Sequence, residues 1–326
     1  RVHDSIIQKD LLQKNPYLGS SLISMYAKCG SMAMSQSVFD ELWVRDLVCW
    51  NALISGYAQQ GQGLEALDCF ERMQKEGFFP DSITYTCALK ACASIVAFDK
   101  GKQIHDEIDR KNLFVKNVIL GTALVDMYAK CGALKRAKEV FDELQIRNVG
   151  SWNALIFGYA QNELTEEALN CYELMRKDAV SPDSVTYLCI LKACTGARAI
   201  DKGKQIHEDI IRDKLIKDDD VALGTALVDM YAKCGQLSKA QQVFDGLRVR
   251  DAICWDALIT GYAQQGQGEE ALNCYEKMQK EGFSPDPITF SCILKACAGM
   301  GDIEKGKEIH DEIVKHNLLE RNVVLA

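Results

Sequence analysis

The chain repeats itself, and this self-similarity limits its possible folds more than any other feature of the sequence. The segment Met25–Gly30 returns at 127–132 and again at 230–235, which gives a period of 102 and then 103 residues. The segment Gly56–Gln59 returns with the same two spacings. Such regular self-similarity predicts a row of similar structural units, each packed on the next, and not a set of independent globular domains.

Each long period divides into three shorter units. Their lengths are 31, 35 and 36 residues, with one additional residue in the third unit of the second period. We expect a single repeat domain over residues 1–326, and because both ends fall inside a unit, we expect the chain to be a piece of a longer protein. The predicted boundaries are 1–15 for a partial long unit, then 16–46, 47–81, 82–117, 118–148, 149–183, 184–220, 221–251, 252–286 and 287–322 for nine full units, and 323–326 for the beginning of another.

The apolar spacing within a unit predicts two helices. In unit 118–148, Leu120, Leu124 and Tyr128 lie on one helical face, and Gly132 follows where a first helix should end. A second apolar face with helical spacing follows this glycine. No stretch of the chain alternates apolar and polar residues for long enough to predict a strand.

The 35-residue units close on Pro and Asp, as in Pro80–Asp81. Proline stops the second helix, and aspartate can cap the first helix of the next unit. A hairpin of about 35 residues cannot bury its apolar face alone, so its neighbours must stack on it. The sequence therefore predicts an all-α fold, an α-solenoid superhelix of stacked helix-turn-helix hairpins with one long concave surface.

The composition is that of an ordinary globular protein. Hydrophobic residues make up 48% of the chain and charged residues 26%, which excludes a disordered chain. No apolar run approaches the roughly 18 residues of a membrane helix. The net charge of −8 argues against non-specific binding of nucleic acid by a polycationic surface, although it leaves room for a basic stripe on one face.

The 14 cysteines recur at equivalent places in the repeats, which predicts packing and not disulfides or a metal site. His105–Glu107 matches only half of the zinc deaminase signature, and the equivalent histidines of the other long units predict a role in helix packing. No phosphate-binding loop or nucleophile motif is present. We therefore expect no enzymatic activity, no metal and no cofactor.

Four recurring segments resemble the pentatricopeptide repeat family. They are Trp50–Tyr57, Gly77–Asp81, Met25–Gly30 and Gly101–His105. The alternation of 31, 35 and 36 residues resembles the subclass with mixed repeats, and we call the three kinds of unit short, standard and long. The tetratricopeptide repeat is the nearest alternative, but its Trp-x2-Leu-Gly pattern is absent.

The resemblance implies binding of single-stranded RNA, with one base read by each repeat. It places the base-reading side chains at the fifth and last places of a unit, where this chain carries small hydrogen-bonding residues. The implied pairs are Ser20 with Asp46, Asn51 with Asp81, Thr122 with Asn148, Asn153 with Asp183, Thr225 with Asp251 and Asp256 with Asp286.

The resemblance assigns two further sets of residues. An apolar residue at the second place would wedge between bases, and Gly150 and Ala222 are too small for this role. The implied wedges are Val48, Ile83, Ile119, Val185, Ile253 and Ile288. A lysine at the thirteenth place of the short units would approach the phosphates, where positive charge is favourable. These lysines are Lys28, Lys130 and Lys233.

The pairing rules of the family imply a target near 5′-GUxAUxG-3′. Asn with Asp resembles a reader of uracil or, more loosely, of pyrimidines; Thr with Asn resembles a reader of adenine; and Thr or Ser with Asp resembles a reader of guanine. The positions marked x belong to the long units, whose pairs follow the rules poorly: Thr86 with Asn117, Leu188 with Asp220 and Ser291 with Asn322. The base of unit 252–286 stays open, because two carboxylates would face it.

Each assignment has a plainer structural alternative. The closing Asp residues could serve only as N-caps, the apolar second residues could be ordinary core, and the lysines could be solvated charges near helix C-termini. The equivalent tryptophans Trp50, Trp152 and Trp255 are predicted to pack within the hairpins and not to stack on bases.

The resemblance also implies a setting for the protein. We expect the recognition tract of an RNA editing or processing factor of the mitochondrion or the chloroplast. This tract would recognise the target RNA and would not catalyse its modification. Its expected partners are single-stranded RNA and, on the long units, small accessory editing factors, with no membrane and no DNA. The alternative is a protein-interaction scaffold whose groove binds a peptide or such an accessory factor.

Overall fold

A computed structural model describes residues 16–114, 117–215 and 221–315. These residues form 18 helices and no strand, which confirms the predicted all-α fold. The helices are α1 (Pro16–Lys28), α2 (Met32–Glu41), α3 (Leu47–Gln59), α4 (Gly63–Lys75), α5 (Ser82–Ser94), α6 (Phe98–Arg110), α7 (Val118–Lys130), α8 (Leu134–Glu143), α9 (Val149–Gln161), α10 (Thr165–Lys177), α11 (Ser184–Gly196), α12 (Ile200–Arg212), α13 (Val221–Lys233), α14 (Leu237–Gly246), α15 (Ala252–Gln264), α16 (Gly268–Lys280), α17 (Pro287–Met300) and α18 (Ile303–Lys315).

The chain divides into two compact units, Arg1–Asn162 and Glu163–Ala326. The first contains α1 to α9 and the second α10 to α18. The odd-numbered helices are the first helices of the hairpins and the even-numbered helices are the second ones. None of the described helices combines the length and the apolar character that a bilayer crossing requires.

The hairpins stack through their first helices in both units. In the first unit, α7 packs against its own partner α8 and also against α5 and α9. In the second unit, α13 packs in the same way against α14, α11 and α15. The second helix of a hairpin also contacts the first helix of the next, as α4 contacts α5 and α16 contacts α17. The first helices therefore form a continuous row within each unit, as a solenoid of stacked hairpins requires.

A glycine allows neighbouring first helices to approach closely. A Cβ atom on Gly158 of α9 would lie 2.7 Å from the Cβ of Ala129 in α7, well inside contact distance. Gly56 and Gly261 face Ala27 and Ala232 in the same way. The recurring Gly-Tyr-Ala-Gln segment is thus explained by packing, because any larger residue would push the two helices apart.

An aromatic cluster fills the space between a short unit and the standard unit that follows. Trp152 is only 2% exposed, and its ring meets that of Phe141 edge-on with 4.5 Å between the centroids. The guanidinium of Arg147 lies over the ring of Phe141, 4.9 Å from its centroid. The same cluster recurs around Trp50 and Trp255. The prediction that these tryptophans pack within the protein is confirmed.

The predicted ends of the helices are also observed. Gly132 has a φ of +75° just after α7, as expected for a glycine that ends a helix. Asp81 caps α5, because its carboxylate accepts a hydrogen bond from the backbone N–H of Thr84 at 2.8 Å.

His105 packs on Tyr128, with 2.8 Å between its Nδ1 and the phenol oxygen, and burial lowers the pKa of His105. These contacts confirm the predicted packing role of His105.

The cysteines are all free thiols, and most of them are buried. Burial raises the pKa of Cys92 to about 12, so this thiol stays protonated at neutral pH. Cys29 is exposed, whereas the equivalent Cys131 and Cys234 are half-buried. The predicted packing role is therefore wrong for Cys29. Cys131 and Cys234 lie near Cys92 and Cys194 of the preceding long units, whereas the residues that precede α1 lie outside the described part of the chain.

Candidate functional site

Within each compact unit, the row of first helices presents a recurring surface, which we call the first-helix face. It consists of the second and fifth residues of each unit, together with the closing residue that caps the next first helix. In the unit that begins with α3, these residues are Val48, Asn51 and Asp81. The second residue lies in the first turn of its helix and the fifth lies one turn later, so both project on the same side.

The apolar second residues are exposed. Their exposed fractions lie between 52% and 69%, which is unusual for side chains of this size. They are therefore not part of the core, and the plainer explanation by packing is wrong for them. The six residues are Val48, Ile83, Ile119, Val185, Ile253 and Ile288.

Asn51 and Asp81 are joined by a hydrogen bond at the first-helix face. Asn51 Nδ2 donates to Asp81 Oδ1 at 3.2 Å, and Asn51 Oδ1 accepts a bond from the Thr84 hydroxyl at 2.6 Å. Only 9% of Asn51 is exposed. Burial alone would raise the pKa of Asp81, but the bonds from Thr84 and Asn51 outweigh it, and the net effect is a lowered pKa. The pair thus presents an amide next to an ionised carboxylate.

The short units pair their residues more loosely. Thr122 Oγ1 donates to Asn148 Oδ1 at 3.4 Å, and Thr225 Oγ1 donates to Asp251 Oδ1 at 3.3 Å. In the first short unit, Ser20 donates to the carbonyl of Tyr17 at 3.2 Å and not to its implied partner Asp46. This serine is held by its own helix, so the implied first pair is not assembled by a direct bond.

Unit 252–286 brings two carboxylates together. The Thr289 hydroxyl lies between Asp256 and Asp286 and is 2.8 Å from Asp286 Oδ1. Burial raises the pKa of Asp256 to about 6; the hydrogen bond from Thr289 opposes this rise, and the negative charges of Asp286 and Asp251 add to it. Asp256 therefore changes its charge in the range just below neutral pH.

A groove opens on the first-helix face of the second unit. Its volume is about 550 Å³, and its walls include Thr225, Asp251, Ile253, Asp256 and Ile288. The two isoleucines line the same groove as Asp256. Exposed apolar side chains in one groove with hydrogen-bonding groups suit a flat, polar-edged ring such as a nucleobase.

The closing residues also serve as N-caps. Asp46 Oδ1 accepts a hydrogen bond from the Cys49 backbone N–H at 2.8 Å, and Asn148 Oδ1 accepts one from Ser151 at 2.8 Å. Since a carboxylate or an amide has two polar atoms, the cap occupies one and leaves the second at the face. Capping and contact with a ligand are therefore compatible in one residue.

Asn153 lies in the first compact unit and Asp183 in the second. Asn153 is buried in α9, and Asp183 caps α11 through a bond from the Thr186 backbone N–H at 2.9 Å. The long-unit residues Asp220 and Asn322 lie outside the described residues, as do 1–15 and 323–326.

The three lysines at the thirteenth place are exposed, but two of them carry a partner. Lys130 lies 2.9 Å from Asp126, and Lys233 lies 2.9 Å from Asp229. A second set of exposed lysines recurs at the ninth place of the long units, on the first helices α5, α11 and α17. Their recurrence with the repeat period is the sequence signal that identifies them. They are Lys90, Lys192 and Lys295.

No group of His, Cys, Asp and Glu among the described residues could hold a metal ion. The polar groups of the first-helix face recur singly or in pairs along the row.

Known families match this arrangement of repeats. The sequence profile described as "PPR repeat family" matches residues 45–94, 147–196 and 250–299. The profile described as "PPR repeat" matches 20–47, 122–149, 225–251 and 288–318. Together they account for most of the chain. The chain belongs to the pentatricopeptide repeat family.

Curated pentatricopeptide repeat proteins of Arabidopsis thaliana resemble the chain along most of its length. Pentatricopeptide repeat-containing protein At2g33680 is 39% identical over 89% of this chain and 39% of its own length. The chloroplastic protein CRR2 is 39% identical over 95% of this chain and 48% of its own length. The mitochondrial protein At3g09040 is 38% identical over 93% of this chain and 29% of its own length. The chain thus spans at most about half the length of these relatives.

A solved pentatricopeptide repeat structure has the same fold. It is the crystal structure of the pentatricopeptide repeat protein PPR10 in complex with an 18-nt psaJ RNA element. The TM-score is 0.75 at 20% sequence identity, and the match covers 95% of this chain and 46% of PPR10. At this identity the likeness establishes the stacked-hairpin fold.

Proposed function

We propose that the chain binds single-stranded RNA and reads its bases with the first-helix face, without catalytic activity of its own. One observation carries the proposal: exposed apolar side chains alternate with small hydrogen-bonding pairs at the repeat spacing. The apolar residues would pack on the flat faces of successive bases, and the pairs would bond to the base edges. PPR10, which shares the fold, was crystallised with RNA.

The finer assignments belong to this proposal. The repeat domain would consist of the nine full units given above, in the mixed short, standard and long subclass. Its target would lie near 5′-GUxAUxG-3′, read from the N-terminal to the C-terminal repeats. The lysines Lys28, Lys130 and Lys233 would approach the phosphates, together with the ninth-place set. Because these lysines would neutralise phosphates and release counterions, binding should weaken as salt is added.

The setting follows from the relatives. Some of them are named as chloroplastic or mitochondrial, and we propose that this chain belongs to an organellar RNA editing or processing factor. Accessory factors would dock on the long units.

The first test is an equilibrium titration of the chain with labelled RNA containing GUxAUxG and with a shuffled RNA of equal composition. Equal affinities for the two would refute base-specific reading.

Replacement of Asn148 by Asp should change the preferred fourth base from adenine to guanine. The exchange removes an amide donor and supplies a carboxylate acceptor, which suits the N1–H and N2–H donors of guanine. One hydrogen bond corresponds to about tenfold in affinity. Titration with RNAs that differ only at the fourth base measures this change, while the preference at the second base serves as the control. An unchanged preference for adenine would contradict the assigned role of Asn148.

A further inference from the structure

A buried threonine stands at the third place of each long unit. Thr84, Thr186 and Thr289 have no exposed surface. The short units carry Leu120 and Leu223 at the same place, so packing there does not require a hydroxyl. Burial of a hydroxyl costs free energy unless the group is hydrogen-bonded. The bonds of these threonines therefore indicate their role.

Thr84 joins the two face residues of the standard unit before it. Its Oγ1 lies 2.6 Å from Asn51 Oδ1 and 2.8 Å from Asp81 Oδ1. A hydroxyl has a single proton, and the shorter contact is the one to the amide oxygen. The Asn51 amide N–H group donates to Asp81 on its other side. These two contacts fix the orientation of the Asn51 amide. A rotation of the amide by 180° would place its oxygen next to the Asp81 carboxylate, which is unfavourable.

We propose that Thr84 is a positioning residue for base reading, which holds the Asn51 amide so that an N–H donor and the Asp81 acceptor meet the base in one fixed order. The inference rests on the RNA binding proposed above. Uracil presents the O4 acceptor beside the N3–H donor, whereas cytosine presents the N4–H donor beside the N3 acceptor. A fixed order of donor and acceptor therefore favours uracil over cytosine at the second base.

The arrangement recurs in the second compact unit. Thr289 contacts both Asp256 and Asp286 of the standard unit before it, as Thr84 contacts Asn51 and Asp81. The standard units carry Cys49, Ser151 and Cys254 at the third place. The same contact is thus found at two places where a long unit follows a standard unit, although the fifth residue is Asn51 in one and Asp256 in the other. We infer that this contact of the threonine hydroxyl is characteristic of a long unit that follows a standard unit.

Helix capping alone does not explain the link. Thr84 Oγ1 accepts a bond from the Asp81 backbone N–H at 3.2 Å, which forms a capping box. Ser151 forms the same capping box with Asn148, and its hydroxyl donates to the Asn148 carbonyl oxygen at 2.9 Å instead of to a fifth-place residue. Capping boxes therefore form here without contact to the base-facing residue, and Ser151→Ala provides a matched control.

The experiment compares Thr84→Val with Thr84→Ser by fluorescence anisotropy on RNAs that carry U or C at the second base and A or G at the fourth. For Thr84→Val, we expect the preference for uracil over cytosine to fall about tenfold, because the amide loses one hydrogen bond that holds it. The adenine preference at the fourth base should stay unchanged. Thr84→Ser keeps the hydroxyl and should keep both preferences, and Ser151→Ala should keep the preference at the fourth base.

The outcomes separate the inference from the proposed function. If the wild-type chain shows no base preference, base reading itself is overturned. If the wild-type chain discriminates at both bases and folded Thr84→Val keeps its preference for uracil, only the positioning role of Thr84 is overturned. If Thr84→Val does not fold, Thr84→Cys replaces it. Cysteine is compatible with this place, because the standard units carry Cys49 and Cys254 there. A retained preference for uracil in Thr84→Cys would likewise overturn the positioning role of Thr84.

Discussion

An Asp256→Asn variant is expected to bind RNA with uracil at the eighth base about tenfold more tightly than the wild-type chain at pH 8, and about equally at pH 5. At pH 8 Asp256 is ionised, and the two acidic side chains together disfavour the acceptor atoms of a base edge. Asparagine would instead accept from Thr289 and donate to Asp286, as Asn51 does with Thr84 and Asp81. Titrations at the two pH values measure the effect.

The pH dependence follows from the protonation of Asp256. Its pKa is raised to about 6, so at pH 5 most molecules carry a neutral carboxyl, which can donate as well as accept. The other charged groups of the same groove are Asp229, Asp251 and Lys233. The reciprocal variant Asn51→Asp should create a similar pH dependence at the second base. The measured quantity is the ratio of the affinities of Asp256→Asn and the wild-type chain for the same RNA. An equal ratio at pH 5 and pH 8 would contradict this account.

The same substitution should change stability in a pH-dependent way. The pKa of Asp256 is raised from its ordinary value of 3.8 to about 6, so between these values the unfolded chain loses a proton that the folded chain retains. The free energy of unfolding therefore falls as the pH rises through this range, and the loss is complete above about pH 6. Asp256→Asn should remove this loss, which we place at about 1–2 kcal/mol because water reaches part of the side chain.

Trp152→Ala is expected to lower the free energy of unfolding by about 3–5 kcal/mol. The side chain is 2% exposed and packs edge-on against Phe141, so its removal leaves a large cavity between two hairpins. Its indole nitrogen has no hydrogen-bond partner among the described residues, so the loss is one of packing. Urea unfolding followed by circular dichroism measures the change.

Ile119→Ala provides the matched control for Trp152→Ala. Ile119 is a large apolar residue of the neighbouring hairpin, but 69% of its surface is exposed, so its truncation should change the free energy of unfolding by no more than about 0.5 kcal/mol. A loss of stability as large as that of Trp152→Ala would show that the apolar second residues contribute to the core after all. A small loss for Trp152→Ala would contradict the structural role of the aromatic cluster.

The sequence predicts most of the fold because the information is local and repeated. Apolar spacing defines the two helices of a hairpin, and Gly132 and Asp81 mark where helices end and begin. The packing of Trp152 was also predictable, since an equivalent tryptophan recurs in each standard unit. Repetition at 102 and 103 residues makes each of these signals visible three times.

The details of the candidate site depend on contacts between hairpins, which the sequence alone does not reveal. Thr84 and Asn51 are 33 residues apart, and only the stacking of α3 and α5 brings them together. The raised pKa of Asp256 likewise results from burial and from charges on other segments. The bond of Ser20 to its own helix also differs from the paired arrangement that the resemblance implied.

The double role of the closing residues bears on how such a protein can change over evolutionary time. Asn and Asp are almost equally good at starting a helix. An exchange between them at Asp46, Asn148 or Asp251 would therefore alter what the surface recognises at little expense to folding. The preference for a ligand could therefore change through single substitutions that leave the stability of the fold almost unchanged. For the same reason, the residues of one repeat could be redesigned without compensating substitutions in its neighbours.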